Sequence, residues 1–353
     1  MTQGVLKKYK EYLPVTDNTP MFSLGEGDTP LVRSRSICDL VECQELYFKL
    51  EGCNPTGSFK DRGMVVALAK ALEAGGTRIA CASTGNTSAS AAAYGAYCDI
   101  PVTVIVPKAN VARGKLAQAI AYGARIMLIQ GSFDHAMSLV RDLTERHPIV
   151  LVNSVNPHRL QGQKTASFEI VEDLGTSPDY LFIPVGNAGN IAAYWMGFQE
   201  SYHQGWATVL PKMMGFQAEC AAPIVRGDIV LEPETIASAI RVGNPASWNS
   251  AIAARDESGG AIDMVSDNDI MEAYRMLAAR EGIFCEPASA ASFAGLVKMY
   301  RQGLDLHEKR IVCICTGNGL KDPDLAVSSS GSQVVEVPVS IEALEAATLG
   351  IGD

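Results

Sequence analysis

The sequence predicts an α/β protein with two doubly wound, open-sheet domains. In two successive stretches, short and continuous apolar segments alternate with longer segments of helical pattern. Uninterrupted apolar strands between helices are typical of a parallel sheet that helices cover on both faces. The length of 353 residues suits two such domains, and 47% hydrophobic with 19% charged residues is the balance of a globular protein.

The first alternation runs from about Lys60 to Ser154 and contains four predicted strands. A helix follows Lys60 directly. Strands are predicted at 78–82, 102–106, 125–129 and 149–153, and the later helices at 87–98, at 111–124 and from Ser132 onward. We assign these elements to a smaller α/β domain, 56–155.

The second alternation extends to Thr316. It predicts a helix at 160–173, strands at 180–185, 212–219 and 310–316, a helix from Ile191, and further helices after a looser stretch that contains prolines. We assign 1–55 and 156–353 to a larger α/β domain and expect the segment up to Leu50 to pack on this second unit. From Asp324 onward, the small residues of SSSGSQ predict a loop that leads to a short final helix.

Charge and cysteine content exclude several classes of function. The net charge of −10 and a sequence pI of about 5.1 give no basic surface for nucleic acid or an anionic membrane. The longest apolar runs have the length of strands, and no apolar run follows the N-terminal lysines as it would in a secretory signal. The nine cysteines are scattered without metal-ligand spacing. We therefore expect no metal site and a reducing, cytoplasmic location.

The segment GSFKDRG places Lys60 at the entrance of an amphipathic helix. The partial positive charge at a helix N-terminus disfavours an ammonium, so we expect the pKa of Lys60 to be lowered. A neutral amine held in this way can attack an aldehyde. The alternative is an ordinary surface lysine beside a glycine turn.

Four further loops follow the carboxyl ends of predicted strands, where open α/β sheets bind their ligands. In the first loop, STGNTSAS, the hydroxyls of Ser83, Thr84 and Thr87 and the N–H groups of the next helix suit a carboxylate. Asn86 in the same loop suits a ring oxygen. The alternative is an ordinary helix start capped by serine or threonine.

The second loop, GNAGN, lies between a predicted strand and a predicted helix. This arrangement binds phosphate through backbone N–H groups and the helix dipole. No Gly-Lys-Ser/Thr follows, and the pattern is not G-x-G-x-x-G, so a phosphate without a nucleotide fits better. A tight turn that needs glycine is the alternative. The residues of this loop are Gly186, Asn187, Ala188, Gly189 and Asn190.

The third loop, NSVNPHR, offers a second phosphate site. Asn153, Ser154 and Arg159 combine amide, hydroxyl and guanidinium donors, although Arg159 is equally compatible with a surface charge. In the fourth loop, CTGNGLKDP, Thr316 presents a hydroxyl beside the same crevice, which suits a heteroaromatic nitrogen.

A lysine set to form a Schiff base, a helix N-terminus for a phosphate and a hydroxyl for a ring nitrogen together describe a pyridoxal phosphate site. The sequence resembles the tryptophan-synthase-β-like (fold type II) pyridoxal phosphate enzymes and, within them, the threonine synthase family. The resemblance extends from about Gly25 to Asp322. It rests on the motifs GDTPL, NPTGSFKDRG, STGNTSAS, VNPHRLQGQKT, GNAGN, EPASAA and CTGNGLKDP.

The resemblance implies a place and contacts for the cofactor, pyridoxal 5'-phosphate, in the cleft between the two domains. Lys60 would bind the cofactor covalently and act as the catalytic base. Phe59 would lie beside the ring and Asn86 would bond its phenolic oxygen. The loop from Gly186 to Asn190 would hold the cofactor phosphate, and Thr316 would face the ring nitrogen.

The resemblance also implies a substrate and a reaction. O-phospho-L-homoserine and water would give L-threonine and phosphate, by γ-elimination and then hydration at Cβ. The substrate carboxylate would bind Ser83, Thr84 and Thr87, and the substrate phosphate would bind Asn153, Ser154 and Arg159. The family further implies a homodimer.

Other functions stay open at this point. A serine/threonine dehydratase on the same scaffold needs no site for a substrate phosphate, so Arg159 distinguishes it. A sulfur-adding enzyme for a phosphorylated amino acid would use the same loops. A non-catalytic phosphometabolite sensor would need neither Lys60 nor the cofactor contacts. A nicotinamide dehydrogenase is disfavoured because neither alternation opens with G-x-G-x-x-G.

Overall fold

The computed structural model describes residues 3–108, 113–131, 133–154, 156–329 and 334–349. The residues up to Asp322 form one compact unit, and those from Pro323 form a second, smaller one. The strands are β1 (Leu31–Arg33), β2 (Glu45–Leu50), β3 (Arg78–Cys81), β4 (Val102–Pro107), β5 (Arg125–Ile129), β6 (Ile149–Leu151), β7 (Tyr180–Pro184), β8 (Lys212–Ala218), β9 (Ala261–Val265) and β10 (Arg310–Cys315).

Helices fill most of the chain between these strands. They are α1 (Val5–Lys8), α2 (Lys60–Glu73), α3 (Asn86–Tyr97), α4 (Arg113–Ala121), α5 (Phe133–Arg146), α6 (Pro157–Gln163), α7 (Thr165–Leu174), α8 (Gly189–His203), α9 (Pro223–Arg226), α10 (Trp248–Glu257), α11 (Asp267–Glu281), α12 (Pro287–Arg301), α13 (Pro323–Ser329) and α14 (Ile341–Leu349). Within the described ranges, no helix combines the length and the apolar character needed to cross a membrane.

The first alternation forms a four-stranded parallel sheet in the order β5-β4-β3-β6. All four of its strands were predicted, and the helices between them lie where the pattern put them. Residues 111 and 112 of one predicted helix, and Ser132 at the start of another, lie outside the described residues.

The second alternation forms a six-stranded sheet in the order β1-β2-β10-β7-β8-β9, parallel except for β1. The N-terminal segment joins this sheet as expected, because β2 pairs with β10 with Phe48 opposite Cys313. Cys313 and Cys315 on β10 are buried core residues. Both sheets lie within the unit that ends at Asp322, so the division into two domains stays a prediction.

The helix predicted at 160–173 is in fact two helices, α6 and α7, that meet at Lys164. The hydroxyl of Thr165 donates to the carbonyl of Gly162 at 2.7 Å, and Ser167 N donates to Lys164 O, three residues back. This tightened turn interrupts the regular i→i−4 ladder. The predicted loop from Asp324 was also wrong at its start, since α13 covers Pro323–Ser329, whereas the final helix is confirmed as α14.

Buried charges connect the N-terminal region to α2 and α7. Arg62 on α2 bonds the carboxylates of Glu51, after β2, and Glu169, on α7, at 2.6 to 2.8 Å. Glu169 also pairs with Lys49 at 2.8 Å. All four side chains are almost completely buried. Burial opposes ionisation of Glu169, but Arg62 and Lys49 hold its pKa well below the ordinary value.

Replacing Glu169 with alanine is expected to lower the free energy of unfolding by about 3–5 kcal/mol, because the buried cations Arg62 and Lys49 each lose a carboxylate partner. The matched control is Glu172→Ala on the same helix. Glu172 is about half exposed and pairs with Lys8, so its loss should cost less than about 1 kcal/mol. Urea unfolding of both variants measures the difference, and equal losses would contradict a special role for Glu169.

The same cluster predicts a pH dependence of stability. A carboxyl whose pKa is depressed by folding stabilises the folded state above its ordinary pKa, and this contribution disappears as the pH falls further. The difference between wild type and Glu169→Ala should therefore be full at pH 7 and should shrink below about pH 4.5. A difference that is constant down to pH 3 would show that Glu169 acts through packing alone.

Candidate active site

The four loops selected from the sequence follow neighbouring strands. Ser83 follows β3 and Asn153 follows β6, and these two strands pair in the four-stranded sheet. Gly186 follows β7 and Thr316 follows β10, which pair in the six-stranded sheet. Because parallel strands end at the same edge of their sheet, each pair of loops lies side by side.

Lys60 is the first residue of α2, as predicted. Burial lowers its pKa to about 7, and the positive charge of Arg159 adds to this effect, while Glu286 opposes it. The prediction attributed the lowering to the helix N-terminus, but the largest cause in the structure is desolvation. The Lys60 ammonium lies 4.0 Å from the centre of the Phe59 ring, and Phe59 N donates to Thr316 O at 3.0 Å.

Arg159 is brought to Lys60 by a close crossing of α2 and α6. A Cβ added to Gly162 would lie 1.9 Å from the carbonyl oxygen of Arg62, and one added to Gly63 would lie 2.7 Å from that of Arg159. The two backbones therefore touch, and a side chain at either position would force the helices apart. Both glycines stand within the motifs GSFKDRG and RLQGQK.

The guanidinium of Arg159 is buried, with 1% of the residue exposed. Nη1 donates to the carbonyl of Val152 at 3.2 Å. Within the part of the chain that the structure describes, Nε and Nη2 have no hydrogen-bond partner. Burial lowers the pKa of Arg159 to about 10, which still leaves it charged at pH 7. The alternative of a surface charge is therefore wrong. Two buried donor nitrogens of Arg159 can each donate a hydrogen bond to a ligand.

The GNAGN loop has the geometry of an anion site. It ends in α8, whose first residue is Gly189, and Ala188 before it adopts a left-handed backbone with φ of 65°. The first N–H groups of a helix have no partner within the helix. The side chain of Asn190 is buried, and among the described residues neither its Oδ1 nor its Nδ2 has a partner.

The loop is held from the outside by the segment before α10. Asn187 O accepts from Ser247 N at 3.1 Å, and a Cβ on Gly186 would lie 3.0 Å from the Cα of Ile240. On the other side, a Cβ on Gly189 would lie 3.2 Å from Leu160, which is the neighbour of Arg159 in α6. The GNAGN loop is therefore in contact with α6, the helix that carries Arg159.

Asn86 and Thr316 share a partner that the sequence analysis did not select. The carboxyl of Glu286, at the start of α12, accepts from Asn86 Nδ2 at 3.0 Å and from Thr316 Oγ1 at 3.1 Å. Glu286 is buried, and burial raises its pKa although Asn86 opposes the shift. Ser289 on α12 lies 3.0 Å from Thr316 Oγ1. The motif EPASAA contains both new residues and was the available signal.

The loop after β3 is arranged around the start of α3. Its N-cap residue is Gly85, so the alternative of a helix capped by a serine or threonine side chain is wrong. Ser83 Oγ accepts from Gly85 N at 3.3 Å, Thr84 is half-buried and Thr87 is buried. Their role towards a carboxylate stays a prediction.

Asn153 is used differently from Arg159. Its side chain exchanges two hydrogen bonds with the backbone of Ala82, both at 2.8 Å, and so joins the loop after β6 to the loop after β3. One hydrogen of its amide group stays available for a ligand. Ser154 follows and is half-buried. Contact of either residue with a substrate stays a prediction.

Asp61 is a further residue that the sequence analysis did not select. Its carboxylate accepts from Ser90 Oγ on α3 at 2.6 Å and from both N and Oγ1 of Thr56 at 2.7 Å. Burial raises its pKa to about 6, against the effect of these hydrogen bonds. Asp61 therefore ties the turn that carries Lys60 to the helix that carries Asn86.

Comparison with known proteins identifies the family of this chain. Residues 22–317 match the family model of pyridoxal-phosphate dependent enzymes. A threonine synthase of Halalkalibacterium halodurans is 56% identical, with 93% of this chain and 92% of that protein covered. A threonine synthase of Bacillus sp. (strain ULM1) is 54% identical, with 98% and 97% covered.

Solved structures give the same fold at lower identity. Maize serine racemase has a TM-score of 0.75 and 22% identity, with 92% of this chain and 94% of that chain covered. Threonine deaminase isoform 2 from Solanum lycopersicum has a TM-score of 0.71 and 21% identity, with 86% and 88% covered. By its family match and its full-length relatives, the chain belongs to the pyridoxal-phosphate-dependent enzymes and, within them, to the threonine synthase family.

Proposed function

We propose that the chain converts O-phospho-L-homoserine and water to L-threonine and phosphate, with pyridoxal 5'-phosphate as cofactor. The single structural observation that carries this proposal is Arg159. Among the described residues, two nitrogens of this buried guanidinium have no acceptor, and the charge of Arg159 acts on the amine of Lys60. This arrangement suits a substrate that bears a phosphate. The relatives named threonine synthase support the same reaction.

The residues present fit the cofactor. The start of α8 offers N–H groups for its phosphate, and the unpartnered amide of Asn190 lies in the same loop. Lys60 supplies the amine, and Phe59 borders it. Asn86 and Thr316 would hold the two polar edges of the ring. When bound, the cofactor supplies an aldehyde that combines with amines and a ring that withdraws electrons from the neighbouring bonds.

Lys60 is the group of this chain that moves protons. Burial lowers the pKa of its amine to about 7, so the neutral form is accessible at physiological pH and can take a proton from Cα of the substrate. The same ammonium can return a proton later in the reaction. Its position is fixed because α2 begins at this residue and crosses α6 backbone to backbone.

The remaining residues bind and orient the substrate. Arg159 would hold the substrate phosphate, together with Ser154 and the free amide hydrogen of Asn153. The substrate carboxylate would be held by the first N–H groups of α3 and by the hydroxyls of Ser83, Thr84 and Thr87. A substrate held at both ends presents its Cα and Cβ to Lys60.

We further propose that the chain works in the cytoplasm as a homodimer, and that 56–155 forms a smaller domain against a larger one made of 1–55 and 156–353. The scattered free thiols support a cytoplasmic location. The family resemblance supports the homodimer, and the two separate sheets support the division into two domains. Sedimentation of the cofactor-loaded protein would test the dimer, since a monomer at micromolar concentration would contradict it.

Product analysis tests the proposed reaction. Cofactor-loaded protein is mixed with O-phospho-L-homoserine, and threonine and phosphate are assayed together. Equal release of both is expected. Phosphate with 2-oxobutyrate would mean elimination without productive hydration. If O-phospho-L-homoserine does not react but serine or threonine is turned over, the dehydratase is favoured. Incorporation of sulfite or sulfide would favour the sulfur-adding enzyme.

Glu286 is predicted to position the two residues that hold the ring. In Glu286→Ala, Asn86 and Thr316 lose a shared acceptor, and hydrogen bonds to a carboxyl of this kind are worth about 1.5–3 kcal/mol. We expect cofactor affinity to fall at least about tenfold, and less in Glu286→Gln, which keeps one acceptor oxygen. Equilibrium dialysis of the cofactor measures this, and an unchanged affinity in the alanine variant would remove Glu286 from the site.

A further inference from the structure

Two thiols lie side by side in the loop that joins β1 to β2. The Sγ atoms of Cys38 and Cys43 are 3.3 Å apart, and Cys38 Sγ also lies 3.1 Å from the carbonyl oxygen of Cys43. Both residues are half-buried, and neither is part of a disulfide. A disulfide bond is about 2.05 Å long, so the two sulfurs need to approach by only about 1.2 Å.

The loop around these thiols is fixed in place. The carboxylate of Glu281, at the end of α11, accepts from the backbone N–H groups of Arg35, Ser36 and Ile37 at 2.8 to 3.0 Å. Between the cysteines, Val41 is completely buried. These contacts fix the chain before and between the two cysteines and keep the sulfurs near each other, so closing the ring costs little chain entropy.

The end of the loop lies at the opposite end of β10 from Thr316. It precedes β2, and Gln44 N donates to Lys309 O just before β10 begins. Thr316 is at the other end of β10, about 20 Å from Lys309 for a strand of six residues. A change in the loop is therefore separated from the residues that bind the cofactor.

We propose that Cys38 and Cys43 form a reversible dithiol–disulfide site whose co-reactant is a low-molecular-weight disulfide such as oxidised glutathione. The thiolate of Cys38 attacks one sulfur of the small disulfide, which forms a mixed disulfide and releases one small thiolate. The thiolate of Cys43 then attacks Cys38 Sγ and releases the second. The two protein thiols lose two electrons and two protons, and the small disulfide becomes two thiols.

The order of attack follows from the surroundings of the two sulfurs. Burial raises the pKa of the Cys43 thiol to about 12, and the hydrogen bond between the two side chains adds to this. Cys43 is therefore a poor first nucleophile. Once Cys38 carries the small thiol, that hydrogen bond is lost, and Cys43 has a disulfide sulfur directly beside it.

The test uses mass spectrometry on the full-length, cofactor-loaded protein. It is incubated with oxidised glutathione at pH 8, quenched with acid, alkylated and digested with trypsin. Residues 36–49 contain both cysteines and no internal Lys or Arg, so one tryptic peptide reports the pair. The next peptide, 50–60, contains Cys53, an exposed single thiol that serves as the internal control.

We expect peptide 36–49 to carry no alkyl group and to be about 2 Da lighter than the unalkylated dithiol peptide, because two hydrogens are lost. It should regain two alkylation sites after dithiothreitol. Cys43→Ser should instead accumulate one glutathione on Cys38, and Cys38→Ser should form neither product at a comparable rate. Two alkyl groups on peptide 36–49 while Cys53 is glutathionylated would overturn the proposal, as would two glutathiones on that peptide.

Two further measurements keep the variants interpretable. Both serine variants and the oxidised wild type should melt within a few degrees of the reduced protein, which shows that they are folded. Turnover should be unchanged by oxidation because the loop is at the opposite end of β10. A −2 Da product that appears only together with unfolding would also overturn the proposal.

Discussion

Replacing Lys60 with alanine is expected to abolish turnover. Removal of a positioned acid–base group costs about 10²- to 10⁴-fold, and the same residue here also provides the amine for the cofactor. The variant should still bind the cofactor non-covalently, because the contacts of the GNAGN loop, Asn86 and Thr316 do not depend on it. Reduction with borohydride followed by mass spectrometry measures covalent attachment separately from activity.

The matched control is Lys70→Ala, on the same helix almost three turns further along. Lys70 pairs with Glu73 and does not belong to the site. This variant should keep covalent attachment and turnover. Normal threonine formation by Lys60→Ala would remove Lys60 from the mechanism, and loss of activity in both variants would indicate a folding defect of α2 instead.

The lowered pKa of Lys60 gives this prediction a pH dependence. Only the neutral amine attacks an aldehyde, and burial together with Arg159 brings the pKa to about 7. The rate of covalent cofactor attachment to the apoprotein should therefore rise up to about pH 7 and level off near pH 8. With a lysine of ordinary pKa, the rate of attachment would keep rising about tenfold per pH unit up to about pH 10. Such a continued rise would contradict the lowered pKa.

Most of the fold could be predicted because its central strands are continuous apolar runs. The strands that were missed carry charges. In β2, ELYFKL, the buried Lys49 is neutralised by Glu169 of α7, about 120 residues later in the chain. In β9, Asp263 pairs with Lys298 of α12 at 2.6 Å. A charge in a strand breaks the apolar pattern, and its partner is visible only in three dimensions.

The same distinction applies to the site. Loops at the carboxyl ends of parallel strands follow from the element order, and so the positions of Lys60 and the GNAGN loop could be predicted. The burial of Arg159 could not, since it depends on the backbone contact of Gly63 with Gly162. Glu286 was missed because its role comes from hydrogen bonds to two residues that are 200 and 30 positions away.

Replacing Arg159 with methionine is expected to move activity and stability in opposite directions. Two charge-assisted hydrogen bonds to a phosphate are worth at least about 1.5 kcal/mol each, so kcat/KM for O-phospho-L-homoserine should fall at least about 100-fold, mainly through KM. Arg159→Lys keeps the charge but lacks the planar guanidinium, so its kcat/KM should lie between those of the wild type and Arg159→Met. Any turnover of serine or threonine should be little changed, because these substrates carry no phosphate.

Stability separates a binding role for Arg159 from a structural one. In the substrate-free protein, the buried guanidinium has two nitrogens without a hydrogen-bond acceptor among the described residues. Burying these donors without an acceptor lowers the stability of the folded state. Arg159→Met should therefore melt at a higher temperature than wild type in phosphate-free buffer. Added inorganic phosphate should raise the melting temperature of the wild type and leave that of the variant unchanged. A variant that melts lower and loses all substrates equally would make Arg159 a structural residue, and the phosphate specificity would then need another source in the loops after β3 and β6.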